Sequence, residues 1–149
     1  MTDAATPGDT PESIFKRAAE RGRQMGLPYA GAVTPTEAHR LQQANAATLV
    51  DVRTEPEYRQ VGHVPGTSRV EWPRGGSESA LVAFVEKMRE SYEPSQPLLL
   101  ICRSGQRSHF AAHVLTHQGF EHAYNVLEGF EGPAPGMGWQ AAGLPVERN

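Results

Sequence analysis

The segment Pro97-Leu98-Leu99-Leu100-Ile101-Cys102-Arg103-Ser104-Gly105-Gln106-Arg107-Ser108 decides how the rest of the chain is read. Its first half is the most apolar run in the sequence. It is too short for a helix and is introduced by a proline, so it is expected to be a central strand buried on both faces. At Cys102 the segment turns into a polar loop, and Ser108 to Gln118 then reads as a helix that Gly119 is placed to end. A strand that feeds a tight loop and then a helix turns several backbone N–H groups toward one point. Those groups and the helix N-terminus form an anion site. Gly105 permits the turn, and Arg103 and Arg107 add two positive charges. A thiol placed there is expected to ionise readily, because cations and helix N-termini favour thiolate. An inert buried cysteine would be expected among apolar neighbours rather than beside two arginines.

Working outward, the chain alternates strand and helix. Thr34-Pro35-Thr36-Glu37 is a capping box, with Thr34 capping, Pro35 in the first position and Glu37 reaching back, so a helix should run to about Ala46. Thr48 to Val52 is a short β-branched, apolar run and reads as a buried strand. Ser68 to Trp72 is a weaker strand. Leu81, Phe84, Val85 and Met88 repeat at helical spacing, and Ala123 to Leu127 reads as a last strand. Strands separated by helices imply crossover connections and a mostly parallel sheet, with sites beyond the strands' carboxyl ends.

The ends read differently. Met1 to Thr10 is expected to be a frayed tail. With neither a basic stretch nor an apolar core, it does not read as a secretory signal. Thr10 and Pro11 open a helix whose apolar stripe is Ile14, Phe15, Ala18 and Ala19. Lys16, Arg17, Arg21 and Arg23 lie off that stripe and read as a solvated face. Met25 to Val33 reads as a linker, so residues 1–33 form a tail and helix ahead of a domain at 34–146. Gly129 to Pro145 reads as loops around one short helical turn, with Trp139 as a hydrophobic anchor.

Composition bounds the function. The 149 residues fit one domain, with roughly two thirds of the unfolded surface buried on folding. A hydrophobic content of 38% with 21% charged residues excludes wholesale disorder. A net charge of -3 argues against a nucleic-acid binder. No apolar run reaches the ~20 residues of a membrane span. A single cysteine can form no internal disulfide and no multi-cysteine metal centre.

At this point the sequence resembles the single-domain rhodaneses, persulfide-forming sulfurtransferases. The resemblance rests on Leu49-Val50-Asp51-Val52-Arg53 with Glu57-Tyr58, on Gly62-His63-Val64-Pro65-Gly66-Thr67, on Cys102 to Ser108, on Tyr124-Asn125-Val126-Leu127-Glu128-Gly129-Phe130, and on the Trp139 segment ending Gly143-Leu144-Pro145-Val146. It spans about Thr34 to Val146. It implies the rhodanese α/β fold, a five-stranded parallel sheet flanked by helices, here with an N-terminal helical extension. It further implies a Cys102 nucleophile that takes sulfur from a donor such as thiosulfate and passes it to a thiophilic acceptor, cyanide or a thiol. Arg103, Ser104, Gly105, Gln106, Arg107 and Ser108 would cradle the donor and the persulfide. The spacing here is Cys-x4-Arg, which in the superfamily resembles sulfurtransferases, whereas the related phosphatases resemble Cys-x5-Arg. Cationic loops tend to go with thiosulfate, so Arg103 leans that way. The alternatives are a persulfide carrier or regulatory module served by a sulfur-relay protein, and a phosphatase or arsenate reductase on a related scaffold. No cofactor, metal, nucleic acid or membrane is implied, and a cytoplasmic location is expected.

Asp51, Arg53 and His63 read as supports of the site. Asp51 and Arg53 read as an ion pair fixing strand ends near the site. His63 reads as ordering its loop. Trp72 reads as core packing that could also wall the cleft. His109, His113 and His117 recur at i, i+4, i+8 beside Phe110, Val114 and Leu115. Two of them could hold a metal, yet the strip reads as a partly solvated helix edge.

Overall fold

The computed structural model describes residues 9–148; the frayed tail expected at the N-terminus lies outside them for residues 1–8. Ten elements follow in order: α1 (Pro11–Met25), β1 (Gly31–Val33), α2 (Pro35–Gln43), β2 (Thr48–Asp51), a π-helical turn (Glu57–Val61), β3 (Ser68–Arg69), α3 (Glu78–Ser91), β4 (Leu98–Ile101), α4 (Gln106–His117) and β5 (Ala123–Val126). The strands form one sheet in the order β1-β5-β4-β2-β3, and every pairing is parallel.

β4 is the centre, as its composition requires. Its alternate side chains enter two cores: Leu98 and Leu100 pack with Phe84, Val85 and Met88 of α3 and Ala111, Ala112 and Leu115 of α4. Leu99 and Ile101 pack with Ile14 and Ala18 of α1, Ala38 and Leu41 of α2, and Trp139. An all-apolar strand is thus a strand with no solvent face.

Local chemistry starts α1, α2 and α3. Thr10 and Thr34 each close a capping box, with Ser13 and Glu37 respectively. Ser77 caps α3 through the Ala80 N–H. Several edges shift from expectation. Gly31–Val33, read as part of a linker, is a fully buried strand on β5, because β5 leaves a row of backbone groups that only another strand can satisfy. α2 ends at Gln43 rather than Ala46, and β3 is two residues long. Beyond β5 the described residues run in turns, one of them a helical turn closed by the Ala142 N–H on Gly138 O at 3.1 Å, and Trp139 is fully buried there, its Nε1–H donating to Pro145 O at 2.8 Å.

The basic face of α1 is not simply solvated. Arg17 and Arg21 both bind Glu37, at 2.8 and 2.9 Å, and Arg21 also donates to Ala32 O. Burial pushes the Glu37 carboxyl up, but the bonds from Arg21, the Thr34 N–H and Arg17 bring it below its ordinary value. The clamp ties α1 to the first residues of α2. No helix among the described residues is long and apolar enough to cross a membrane.

Candidate active site

Cys102 sits one residue past β4, at the carboxyl edge of the sheet, and is buried. Its Sγ lies 3.1 Å from the Gly105 N–H and 3.2 Å from Ser108 Oγ. Gly105 is the N-cap of α4 with φ 100°, a conformation that costs glycine little. No side chain caps α4, so its first-turn N–H groups remain open to a ligand.

The loop is braced from behind by the chain that follows β5. The Phe130 N–H donates to Cys102 O at 2.8 Å, and the Glu131 and Gly132 N–H groups donate to Arg103 O at 2.9 and 3.1 Å. Gly129 has φ 64°, and a Cβ there would lie 2.6 Å from the carbonyls of Cys102 and Arg103. Close backbone approach thus explains the Glu128-Gly129-Phe130 motif. With its carbonyls tied outward, the loop is free to aim N–H groups inward.

The two loop arginines are placed differently. Arg103 is mostly exposed and meets Glu131 only at 3.7 Å. Arg107 makes a bidentate pair with Glu57, both bonds 2.8 Å. The bonds from Arg107 are the main reason the Glu57 carboxyl falls to about 2, and the Thr54 N–H and hydroxyl add to it. Glu57 in turn raises the Arg107 guanidinium, to which the nearby Cys102 contributes more weakly. The positive charge expected to act freely on the sulfur is therefore largely committed to a carboxylate.

Ser104, Gln106, Arg103 and Arg107 line a cleft of about 450 Å³ with Thr54, Trp72, Arg74 and Phe110. No acidic side chain lines it. Trp72 both walls this cleft and packs edge-on against Phe84. Phe110, expected on the apolar face of α4, is instead 47% exposed at the mouth; the buried face of α4 is Ser108, Ala111, Ala112 and Leu115.

Asp51 and Arg53 form a buried pair at 2.7 Å. Arg53 also donates to Gly62 O and lies over the Phe130 ring. The pair thus backs the segment that braces Cys102 without touching the sulfur. His63 stacks on Tyr58 at 3.7 Å, its Nδ1 meets Tyr58 O, and its backbone bridges Glu147; it orders the turn after the π-helix rather than reaching the cleft.

The three histidines of α4 part company. His109 Nδ1 meets the Tyr29 hydroxyl at 2.7 Å. His113 and His117 line a separate groove between α3 and α4. Among the described residues no group of three His, Cys, Asp or Glu side chains is arranged to hold a metal.

Four residues near the site were given no role in it by the sequence, though Glu57 and Asn125 lie in stretches that carry the resemblance. Glu57 was legible, since Thr54-x-x-Glu57 is itself a capping-box pattern. Arg74 carried only the signal of a cation beside Gly75-Gly76. Tyr29 lay in the presumed linker. Asn125 lay within a strand, where an amide gives no sign of its partners.

Comparison with known proteins places the chain. A family model described as Rhodanese-like domain matches residues 34–133. The thiosulfate sulfurtransferase GlpE of Vibrio cholerae is 33% identical over 110 residues, covering 74% of this chain and 88% of that protein. A crystal structure of Rv0390 from M. tuberculosis is 38% identical, covers 81% of this chain and 99% of that one, and superposes with a TM-score of 0.69. The human single domain sulfurtransferase TSTD1 shares the fold at 23% identity, over 66% of this chain and 90% of that one, with a TM-score of 0.53.

Proposed function

The chain belongs to the rhodanese-like domain family, and from that premise we propose that it is a sulfurtransferase that moves a sulfane sulfur through a Cys102 persulfide. The observation that carries the reading is the Cys102 sulfur at 3.1 Å from the Gly105 N–H, in a loop that runs into an uncapped helix N-terminus. The likeness to a thiosulfate sulfurtransferase over most of the chain supports thiosulfate as the donor.

In the first half-reaction the Cys102 thiolate attacks the outer sulfur of thiosulfate. A bond forms from Sγ to that sulfur, the sulfur–sulfur bond of thiosulfate breaks, and its electron pair leaves with sulfite. The negative charge then rests on the outer sulfur of Cys102–S–S⁻. The open N–H groups between Arg103 and Ser108 are oriented to receive it, as fixed dipoles that need no reorganisation. In the second half-reaction cyanide or a thiolate attacks the outer sulfur and the Cys102 thiolate leaves. Two covalent half-reactions require ping-pong kinetics. Arg103, loosely held and exposed at the mouth, is suited to draw in the dianionic donor. Arg107 is suited to hold the loop against the π-helical turn.

Intact mass after thiosulfate treatment tests the reading. One added sulfur that cyanide removes is expected, together with thiocyanate. Cys102→Ser should stay folded and do neither, since the chain has one cysteine. A serine variant that still makes thiocyanate from thiosulfate overturns the mechanism.

A further inference from the structure

Behind the Cys102 sulfur runs a chain of hydrogen bonds that the transfer chemistry leaves unused. Ser108 Oγ, 3.2 Å from Sγ, is also 2.6 Å from Asn125 Oδ1. Asn125 Nδ2 donates to Gly105 O at 3.1 Å, and the same amide is near enough to the Tyr29 phenol to favour its ionised form, against the larger effect of burial. The Tyr29 hydroxyl meets His109 Nδ1 at 2.7 Å. Ser108, Asn125 and Tyr29 are all buried.

The polarity of this chain is fixed by donor arithmetic. An amide oxygen only accepts, an amide nitrogen only donates, and a hydroxyl has one proton. Asn125 cannot turn over, because its NH₂ faces Gly105 O, which only accepts. Burial pushes the Tyr29 phenol up to about 12, so it keeps its proton at neutral pH. Asn125 Oδ1 must then be satisfied by Ser108, at the short end of the hydroxyl–oxygen range. The serine proton therefore points away from the sulfur. What Oγ offers Cys102 is a lone pair, which suits a thiol that donates its own proton.

A thiolate has no proton and wants donors. It can draw the Ser108 proton only by taking it from Asn125. When the sulfur becomes a persulfide, the charge moves to the outer sulfur and Sγ no longer competes, so the proton returns to the amide. We propose that Asn125 is a positioning residue for Cys102: by holding the single proton of Ser108, it limits how far the thiolate is stabilised and keeps that thiolate nucleophilic. The kinetic part of the proposal rests on the sulfurtransferase reading; the thiolate part does not.

The test is a double-mutant cycle on the full chain. Thiolate is followed by ultraviolet absorbance, as the difference from Cys102→Ser, at a pH where native Cys102 is partly ionised. The charged groups about the loop — Arg103 with Glu131, Arg107 with Glu57, Asp51 with Arg53 — are the same in every variant and cancel; His109 is likewise unchanged in the Asn125 and Ser108 variants, and where its Tyr29 partner is removed its contribution is taken out by subtracting the effect seen without Ser108. Asn125→Ala should raise the thiolate-to-thiol ratio by about three- to tenfold, the range of one ordinary hydrogen bond. Ser108→Ala should lower it. Asn125→Ala in the Ser108→Ala background should change nothing further. Tyr29→Phe, a milder change beside the amide, should raise the ratio less, and by more with Ser108 present than without it; that difference decides the matter should Asn125→Ala not fold. A fall in the ratio on changing Asn125, an Asn125 effect that persists without Ser108, or a Tyr29 effect equal with and without Ser108 overturns the proposal.

Sulfur transfer gives a second readout. A better stabilised thiolate is a weaker nucleophile and a better leaving group. Asn125→Ala should therefore slow persulfide formation per thiolate while speeding release to cyanide. Equal slowing of both half-reactions would mark Asn125 as merely structural. If thiosulfate loads no sulfur while the thiolate cycle holds, the donor reading fails and the role of Asn125 stands.

Discussion

Two carboxylate–guanidinium pairs stand a few residues apart, Asp51 with Arg53 and Glu57 with Arg107, and the same bonds serve different ends. In the first pair both side chains are sealed from solvent, at 1% and 0% exposed. Asp51 also accepts the Arg53 backbone N–H, and Arg53 is spent on Gly62 O and the Phe130 ring. In the second pair Arg107 and Glu57 keep 32% and 21% of their surface, and Arg107 lines the cleft. Burial, more than the chemistry of the pair, separates them. A sealed pair has no other partner to reach, so it can only build. A half-open pair can exchange its carboxylate for an anion that arrives from water.

The largest effect should come from the sealed pair. Asp51→Ala leaves Arg53 as an uncompensated buried charge, and such breaks cost about 3–5 kcal/mol. Urea unfolding should show that loss, while the fraction that remains folded keeps a near-native transfer rate. Replacing both partners with apolar residues should recover much of the stability, since a buried pair and an apolar isostere are often nearly equal. A Asp51→Ala variant of native stability, or one that is fully folded yet inactive, breaks the comparison by giving the sealed pair a direct part in chemistry.

Glu57→Gln should cost less stability, about 1–2 kcal/mol once solvent screening is allowed for, and more activity. The pH dependence has a definite sign. The folded carboxyl lies at about 2, below its ordinary 4.5. Its contribution is therefore complete above about 4.5 and is lost as pH falls toward 2. The stability gap between the native chain and Glu57→Gln should be constant near neutrality and close over that acid range. Taking the difference removes the parallel loss at Glu37, whose carboxyl is also lowered. A gap that is unchanged at pH 3 would show that the Arg107 bonds add nothing.

Much of this was legible in the sequence, for reasons that differ by residue. The apolar run Leu98–Ile101 announces a doubly buried strand, and Cys102, at its end, is placed by that fact alone. Thr10 and Thr34 declare their helices because capping is local chemistry. β1 was not legible: Gly31-Ala32-Val33 is short and glycine-led, and only the open edge of β5 makes it a strand. The commitment of Arg107 to Glu57 spans 50 residues of sequence, so no local pattern states it. The Ser108–Asn125–Tyr29 chain is harder still, since it draws on three separate elements and a hydroxyl proton that has only one place to go.

The smallest effect, and the sharpest test of the half-open pair, lies in the contrast between the two loop arginines. Arg103 is 63% exposed and its contact with Glu131 is long; a surface pair of that kind holds its side chain by less than about 1 kcal/mol. It is free to swing to a dianion at the mouth. Arg103→Ala should therefore raise the KM for thiosulfate about tenfold, the weight of one charge-assisted bond, and leave release from a preformed persulfide to cyanide nearly unchanged. Added salt should shrink the Arg103 effect, since an open mouth is well screened. Arg107→Ala should impair both half-reactions, because it frees the loop from the π-helical turn as well as removing a charge, and its effect should resist salt. Single-turnover loading with thiosulfate and separate cyanide release, each at low and high ionic strength, distinguish the two. If Arg107→Ala also acts only on KM and fades with salt, then Glu57 releases its partner readily and both arginines serve as donor contacts. If Arg103→Ala slows both steps alike, the exposed arginine shapes the loop after all, and exposure is a poor guide to which cation binds the donor.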